Sequence, residues 1–300
     1  MDLQEPFVSV VVVTHGRPKF LADCLQSIAE QTWPNRELIV VLNPPNDESE
    51  TLANRWASRV IKTHRNLGAF PAVSLGIANS TGDMVMVVDD DARFESADAL
   101  ERLVGFLHCN RTVSAATCNI CGPCESKPYE VRQFVPTFKS GFTLYRREVF
   151  ARLAGYVPDE FYRAGGETYL AGYIYEHGGS IAMLPDVWMY HAQTSQGRDS
   201  HAMNFFATRN HALLAVLQEP LVIVPASLAA KLASSFVRIA LRRGDLVAWM
   251  AGWLSFAGKL AWAVRERRPI SLRTYRYLRR LRREAGPAGR VVIRQSAEAA

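Results

Sequence analysis

Apolar residues in the first third of the chain come in short unbroken runs, separated by segments where they recur every three or four positions. Residues 8–13 form a β-branched run, 37–42 (ELIVVL) a second, 59–63 a shorter third and 84–88 (MVMVV) a fourth. Uninterrupted runs of this length predict strands buried on both faces. After the first run, Phe20, Leu21, Cys24, Leu25 and Ile28 share one helical face. Residues 50–56 predict a short helix, and 69–79 another after the turn Asn66-Leu67-Gly68. Strands and helices alternating through short loops predict an α/β fold, a mostly parallel sheet flanked by helices, with ligands at the carboxyl ends of the strands.

The alternation then loosens. Ser96 is placed to cap a helix running to Leu107, and 113–117 and 142–145 read as strands. Helices follow over 146–153, 167–177 and 202–217, with short strands at 181–184 and 187–190 leading to His191. After Glu219-Pro220 the pattern changes to two long apolar helices, 225–243 and 245–264, and an arginine-rich helix over 272–283. The expected organisation is a catalytic-type domain over 1–218, with halves at 1–112 and 113–218, and a helical region over 219–300.

The fourth run ends in three consecutive carboxylates, Asp89, Asp90 and Asp91. Three acids left dry and unpaired repel one another strongly. Solvent or a divalent cation relieves this, so the choice is between a hydrated acidic turn and a metal seat.

The net charge of +6 conceals an asymmetry. From Lys231 onward there are 16 Lys+Arg against 4 Asp+Glu, and the first 230 residues hold 19 against 25. A basic tail on a mildly acidic body predicts an anionic partner, phospholipid or nucleic acid. Trp249, Trp253 and Trp262 beside apolar and basic residues favour a helical surface lying in an anionic membrane interface over 225–283, with core or homodimer packing and a spanning helix as the alternatives. Nucleic acid is not expected, because no reading module accompanies the arginines. The N-terminus lacks the form of a signal peptide, so a cytoplasmic, reducing setting is expected, with peripheral attachment at the inner face of the membrane. Cys118, Cys121 and Cys124, with Cys109 upstream, have an irregular spacing for zinc and read chiefly as reduced thiols. A dehydrogenase is not expected, because no Gly-x-Gly-x-x-Gly follows the first strand.

Several of these pieces, in order, resemble the family-2 inverting glycosyltransferases of GT-A, Rossmann-like fold. They are the opening strand with Thr14 and Arg17, ELIVV at 37–41, Asn66-Leu67-Gly68, Gly76, Gly82-Asp83, the acids 89–91, Arg146-Arg147, Gly155, Glu167 before Leu170, and Pro185-Asp186 leading to His191. The resemblance covers residues 6–215. It implies a nucleotide-sugar donor (UDP-, dTDP- or GDP-linked) held through Mn²⁺ or Mg²⁺ and a glycan or lipid-linked acceptor. Asp89, Asp91 and His191 would serve the metal, and Thr14, Arg17, Asn43, Asn66 and Asp90 the nucleotide-sugar. Glu167 stands where the family has its catalytic base, the second acid of a pair whose first member is here Gly166. The chain departs from the pattern at Leu42-Asn43, where an aspartate is usual, and at Tyr169 and Tyr173, where an acid and an arginine are common. Asp159-Glu160 is the fallback base. A non-catalytic nucleotide-sugar binder of the same fold is the rival that these departures motivate, and an arginine-tailed nucleic-acid binder is the rival of another class.

Overall fold

The computed structural model describes residues 5–123, 127–153, 156–194 and 199–285. The first half alternates β1 (Val8–Thr14), α1 (Pro18–Ala29), β2 (Arg36–Leu42), α2 (Asp47–Trp56), β3 (Arg59–Lys62), α3 (Ala69–Ala78) and β4 (Met84–Asp89). Then come β5 (Ala92–Phe94), α4 (Ala99–Cys109), β6 (Ala115–Cys121), β7 (Gln133–Phe134), β8 (Phe142–Arg146), α5 (Glu148–Leu153), α6 (Gly166–Glu176) and β9 (Ile181–His191). Helices complete the chain: α7 (Ser200–Gln218), α8 (Val224–Ser235), α9 (Leu246–Gly258), α10 (Leu260–Arg265) and α11 (Leu272–Glu284).

The strands form one sheet in the order β3-β2-β1-β4-β8-β6-β9-β5, with β7 also paired to β9. Strands β1 to β4 are mutually parallel, as are β6 and β9. The antiparallel strand β8 joins the two groups, and β5 and β7 run against β9. Most strands therefore share one direction, and the predicted α/β architecture is present.

Strand alternation divides the core in two. Val10, Val12, Met86 and Val88 pack against Leu21 and Leu25 of α1 and Leu100 and Leu103 of α4. Val11, Ile39, Val85 and Val87 face α3, α6 and α7, in a cluster that continues without a break to Phe256, Leu278 and Leu281. The halves expected at 1–112 and 113–218 thus share one sheet, and the region after 218 completes the core of the region before it.

Several element boundaries differ from expectation. The helix expected from residue 50 starts at Asp47, because the Asn46 side chain accepts the Ser49 N–H at 2.8 Å. Ser96 is not a side-chain cap: α4 begins at Ala99, whose N–H donates to the Ser96 carbonyl. The strand expected to end at Thr117 runs on to Cys121. The two short strands before His191 are one, and Pro185 is absorbed by a register shift opposite Cys118/Asn119. The first long apolar helix continues beyond α8 as a π-helical stretch, Phe236–Leu241, and the second breaks at Lys259. Neither β5 nor β7 was expected; three and two residues are too few to show a period.

Candidate active site

Strand β4 carries its five buried apolar residues to the rim of the sheet and ends in the acids. The chain turns back at once as β5, whose pairing with β9 sets Ala92 opposite His191. This reversal brings a residue a hundred positions downstream onto the acidic turn. One ligand atom each from Asp89, Asp91 and His191 lie within 4.8 Å of one another. His191 Nε2 is 3.4 Å from Asp91 Oδ1, and Nδ1 has no hydrogen-bond partner among the described residues. Two carboxylates and an imidazole at this spacing can converge on one ion of roughly 2.1 Å ligand distance, and the oxygen-rich set suits Mg²⁺ or Mn²⁺. The residues therefore fit a divalent cation.

Asp89 needs room. Its carboxylate lies against Gly141, at the start of β8, where a Cβ would be 2.2 Å from Asp89 Cγ. Only glycine permits that approach. Nothing in the residues flanking Gly141 points to this role, which depends on an Asp89 carboxylate distant in sequence.

Asp90 does a different job from its neighbours. It is fully buried beneath the turn, where Arg17 Nε donates to its Oδ2 at 3.1 Å and Arg17 Nη2 closes a second bond to Oδ1. Arg17 Nη1 reaches Asp91 Oδ2 at 3.1 Å. Burial lifts the Asp90 carboxyl to about 6, against the opposing pull of Arg17 and Thr14. Arg17 and Asp90, both expected on the nucleotide-sugar, thus fix the backbone of the acidic turn from below.

Asn43, expected to read the base, has its amide committed. Its Oδ1 accepts from the Leu67 N–H and Thr63 hydroxyl, and its Nδ2 donates to the Gly68 carbonyl and Asn66 Oδ1. At 2% exposure it holds the 63–68 turn and has no capacity left for a pyrimidine edge. Asn66 remains at the crevice, with its Nδ2 3.3 Å from His15 Nε2. Thr14 is buried at the end of β1, beside Asp90.

Glu167 lies in the first turn of α6, half-buried. Its carboxyl is pushed up to about 7, first by burial and further by the charge of Asp89, against hydrogen bonds from its own N–H and that of Ser140. A carboxylate poised near neutrality beside the acid cluster can accept a proton at physiological pH. Gly166 stands in place of the family's first acid, and a Cβ there would meet the Phe70 ring at 2.6 Å, so Phe70 fills the space. Tyr169 and Tyr173, the other departures, are buried: Tyr169 packs on Phe161 and Tyr173 on His177. Glu160, part of the fallback pair, is bound to Lys259 at 2.9 Å.

The described cysteines form no metal-binding group. Among the described residues the only group of three metal-ligand side chains is the Asp-Asp-His cluster. The Cys118 thiol is buried against the Phe142 carbonyl, and burial raises its pKa strongly. Cys124 lies outside the described residues.

Solved structures share this fold. The fold matches the mannosyltransferase PcManGT of Pyrobaculum calidifontis, solved with GDP-Man and Mn²⁺, at TM-score 0.58 and 19% identity over 87% of this chain and 88% of that one. It also matches S. aureus TarS 1-349 with UDP-GlcNAc, at TM-score 0.62 and 14% identity over 92% and 91%. At such identities the likeness is one of fold. A PGL/p-HBAD biosynthesis glycosyltransferase of Mycobacterium bovis is 29% identical over 107 residues, 34% of this chain and 42% of the relative. The glycosyltransferase GlyG of Streptococcus pneumoniae is 30% identical over 89 residues, 28% of this chain and 30% of the relative. The chain thus aligns with less than half the length of these curated relatives. The model of glycosyl transferase family 2 matches residues 9–162, just over half of the sequence, and the chain belongs to that family.

Proposed function

We propose that the protein is a metal-dependent inverting glycosyltransferase that moves a sugar from a nucleoside-diphosphate donor to an acceptor hydroxyl. The observation that carries this reading is Glu167, a half-buried carboxyl with its pKa raised to about 7, set beside the Asp89/Asp91/His191 cluster. Glu167 takes the proton of the acceptor hydroxyl as that oxygen attacks the anomeric carbon. The bond from that carbon to the diphosphate oxygen breaks on the opposite face, and the configuration inverts. Asp89, Asp91 and His191 would hold Mn²⁺ or Mg²⁺, which offsets charge on the departing diphosphate. Thr14 and Asn66 line the donor side. UDP-, dTDP- and GDP-linked sugars remain the donor class, because the engaged amide of Asn43 leaves base selection to other groups.

The test is a thermal-shift screen of nucleoside diphosphates and their sugars with and without Mn²⁺, since a ligand that binds only the folded state raises apparent stability. Donor turnover is then compared with that of Glu167→Gln. The reading expects Mn²⁺-dependent donor binding retained in the variant and turnover lost. Turnover undiminished in Glu167→Gln, or donor binding indifferent to metal, would overturn it.

The reading extends to location: a cytoplasmic enzyme docked at the inner face of a membrane and acting on a lipid-linked glycan. In support, the large hydrophobics most exposed among the described residues all lie between Leu221 and Leu272, with Val247 at 69% and Leu254 at 71%. Patches of this kind mark interaction surfaces. The helical stretch Val224–Leu241 is long and apolar enough to cross a membrane, but it packs through Phe236 on Trp249 of α9, which suits a helix lying flat. Vesicle flotation of Val247→Asp/Leu254→Asp tests docking. Truncation at Gln218 is unsuitable, because it strips Phe256, Leu278 and Leu281 from the core.

A further inference from the structure

Helix α11 presents Arg273, Arg276, Arg280 and Arg283 to a groove of about 1020 Å³. Their spacing of three, four and three residues puts them on one helical face. The opposite wall is the end of α6 with the turn Gly178-Gly179-Ser180. The one acid on that wall, Glu176, is occupied by the Ser271 N–H and hydroxyl at 2.8 and 3.0 Å. Arg280 lies over Tyr277 and 3.8 Å from Glu284, while Arg273, Arg276 and Arg283 have no carboxylate partner among the described residues. Arg276 and Arg283, with Arg279, also edge a second groove of about 400 Å³, lined otherwise by Val222, Ile223, Leu272 and Tyr275. Val222 is 74% exposed at its rim.

Guanidinium groups share so narrow a face at a repulsive cost that an anion relieves. They bind phosphate through paired N–H donors. An aliphatic groove sharing two of the same arginines suits a chain attached to that phosphate. We propose that the two grooves flanking α11 together hold a phosphate-bearing membrane amphiphile. Its phosphate lies against Arg273, Arg276, Arg280 and Arg283, and its hydrocarbon lies along Val222, Ile223 and Leu272. This rests on the membrane-docked reading above and names its lipid chemistry. The phosphate is that of an anionic phospholipid, the source that the exposed apolar residues between Leu221 and Leu272 favour.

The experiment uses the full chain, without donor or metal. Binding is measured to vesicles of phosphatidylcholine alone and with phosphatidylglycerol, and to geranyl diphosphate, inorganic pyrophosphate and a single-stranded oligonucleotide in solution. Phosphatidylglycerol should tighten vesicle binding at least tenfold. Arg276→Gln/Arg283→Gln should weaken it roughly thirty-fold, two basic residues each contributing about a further five-fold at an anionic surface. Failure of geranyl diphosphate to displace the protein from vesicles supports the phospholipid, and displacement by it overturns the phospholipid as occupant. Pyrophosphate binding as tightly as either amphiphile overturns the proposal, as does tighter binding of the oligonucleotide. Vesicle affinity unchanged in Arg276→Gln/Arg283→Gln but lost in Val247→Asp/Leu254→Asp overturns the grooves alone. No vesicle binding by the unaltered protein overturns docking as well. Both variants alter exposed side chains, and circular dichroism serves to check that they fold.

Discussion

Replacing Glu167 with Gln should stabilise the metal-free protein in neutral and alkaline solution while removing its activity. In the folded state the Glu167 carboxyl is pushed from 4.5 to about 7. A raised acid binds its proton more tightly in the native state than in the unfolded chain. Between these two pKa values the native state holds a proton that the unfolded state has released, so stability falls as pH rises. The loss begins near pH 4.5 and is complete above about pH 7. A gap of this size corresponds to roughly 3 kcal/mol, reduced to about 2 kcal/mol for a carboxylate that solvent partly screens. Gln has no charge to desolvate and can still accept the Ser140 N–H. Urea denaturation of both proteins in chelator, from pH 4 to pH 8, should therefore give stabilities that differ little at pH 4 and diverge by about 2 kcal/mol at pH 8, the variant being the more stable. Over the same interval kcat/KM of the native enzyme should climb through an apparent pKa near 7. The variant should be slower by about 10²–10⁴-fold, without that climb. Saturating Mn²⁺ should lower the apparent pKa, because it counters the Asp89 charge that helps to raise it. Stability curves that stay parallel across the whole range would refute the environment assigned to Glu167.

Three further outcomes follow from the same geometry. Gly141→Ala should cost about 10–100-fold in Mn²⁺ affinity by calorimetry, because the added methyl displaces the Asp89 carboxylate. Arg17→Leu should destabilise the protein by about 3 kcal/mol at pH 8, since it strands the buried Asp90 charge. Much of that loss should be recovered below pH 6, where Asp90, already raised to about 6 with Arg17 present, takes up a proton. Asp91→Asn should abolish Mn²⁺-dependent donor stabilisation in thermal shift while leaving the melting temperature without ligand close to that of the native protein.

The parallel half of the fold was legible because long buried strands and amphipathic helices carry strong periods. The pieces that escaped were short or irregular. Strand β5 is three residues long, yet it folds the acidic turn back onto His191 and so builds the metal cluster. The acids themselves stood out as chemistry, and the resemblance set Asp89 and Asp91 apart from Asp90, but the pairing of Asp90 with Arg17 was not visible. Direction in space decides that Asp90 turns wholly to Arg17, which also reaches Asp91, while Asp89 and Asp91 meet His191, and three identical letters in a row conceal it. Asn43 shows the converse: a polar residue at a strand end looks like a ligand contact and is instead consumed by the turn it anchors. Gly141 and Gly166 carry meaning only through the Asp89 and Phe70 atoms beside them, and those neighbours are far away in sequence.

The helices after Gln218 support the segment before Glu167 as well as carrying the exposed apolar side chains. The segment leading into Glu167 turns through Ala164 at φ +65° and Gly165 at φ +90°. A left-handed alanine costs about 1–2 kcal/mol and persists only where its surroundings enforce it. Asn210 of α7, fully buried, enforces it by donating to the Arg163 and Ala164 carbonyls at 2.7 and 2.9 Å. Arg209 beside it donates to the Glu160 carbonyl, and Lys259, at the junction of α9 and α10, binds the Glu160 side chain. Helix α7 packs along α9, whose outer face carries Val247, Met250 and Leu254. The surface proposed to meet the membrane and the turn before Glu167 are therefore joined through packed helices. An acceptor held at the bilayer would be met by a base whose position is fixed relative to that bilayer, with no hinge required between docking and chemistry.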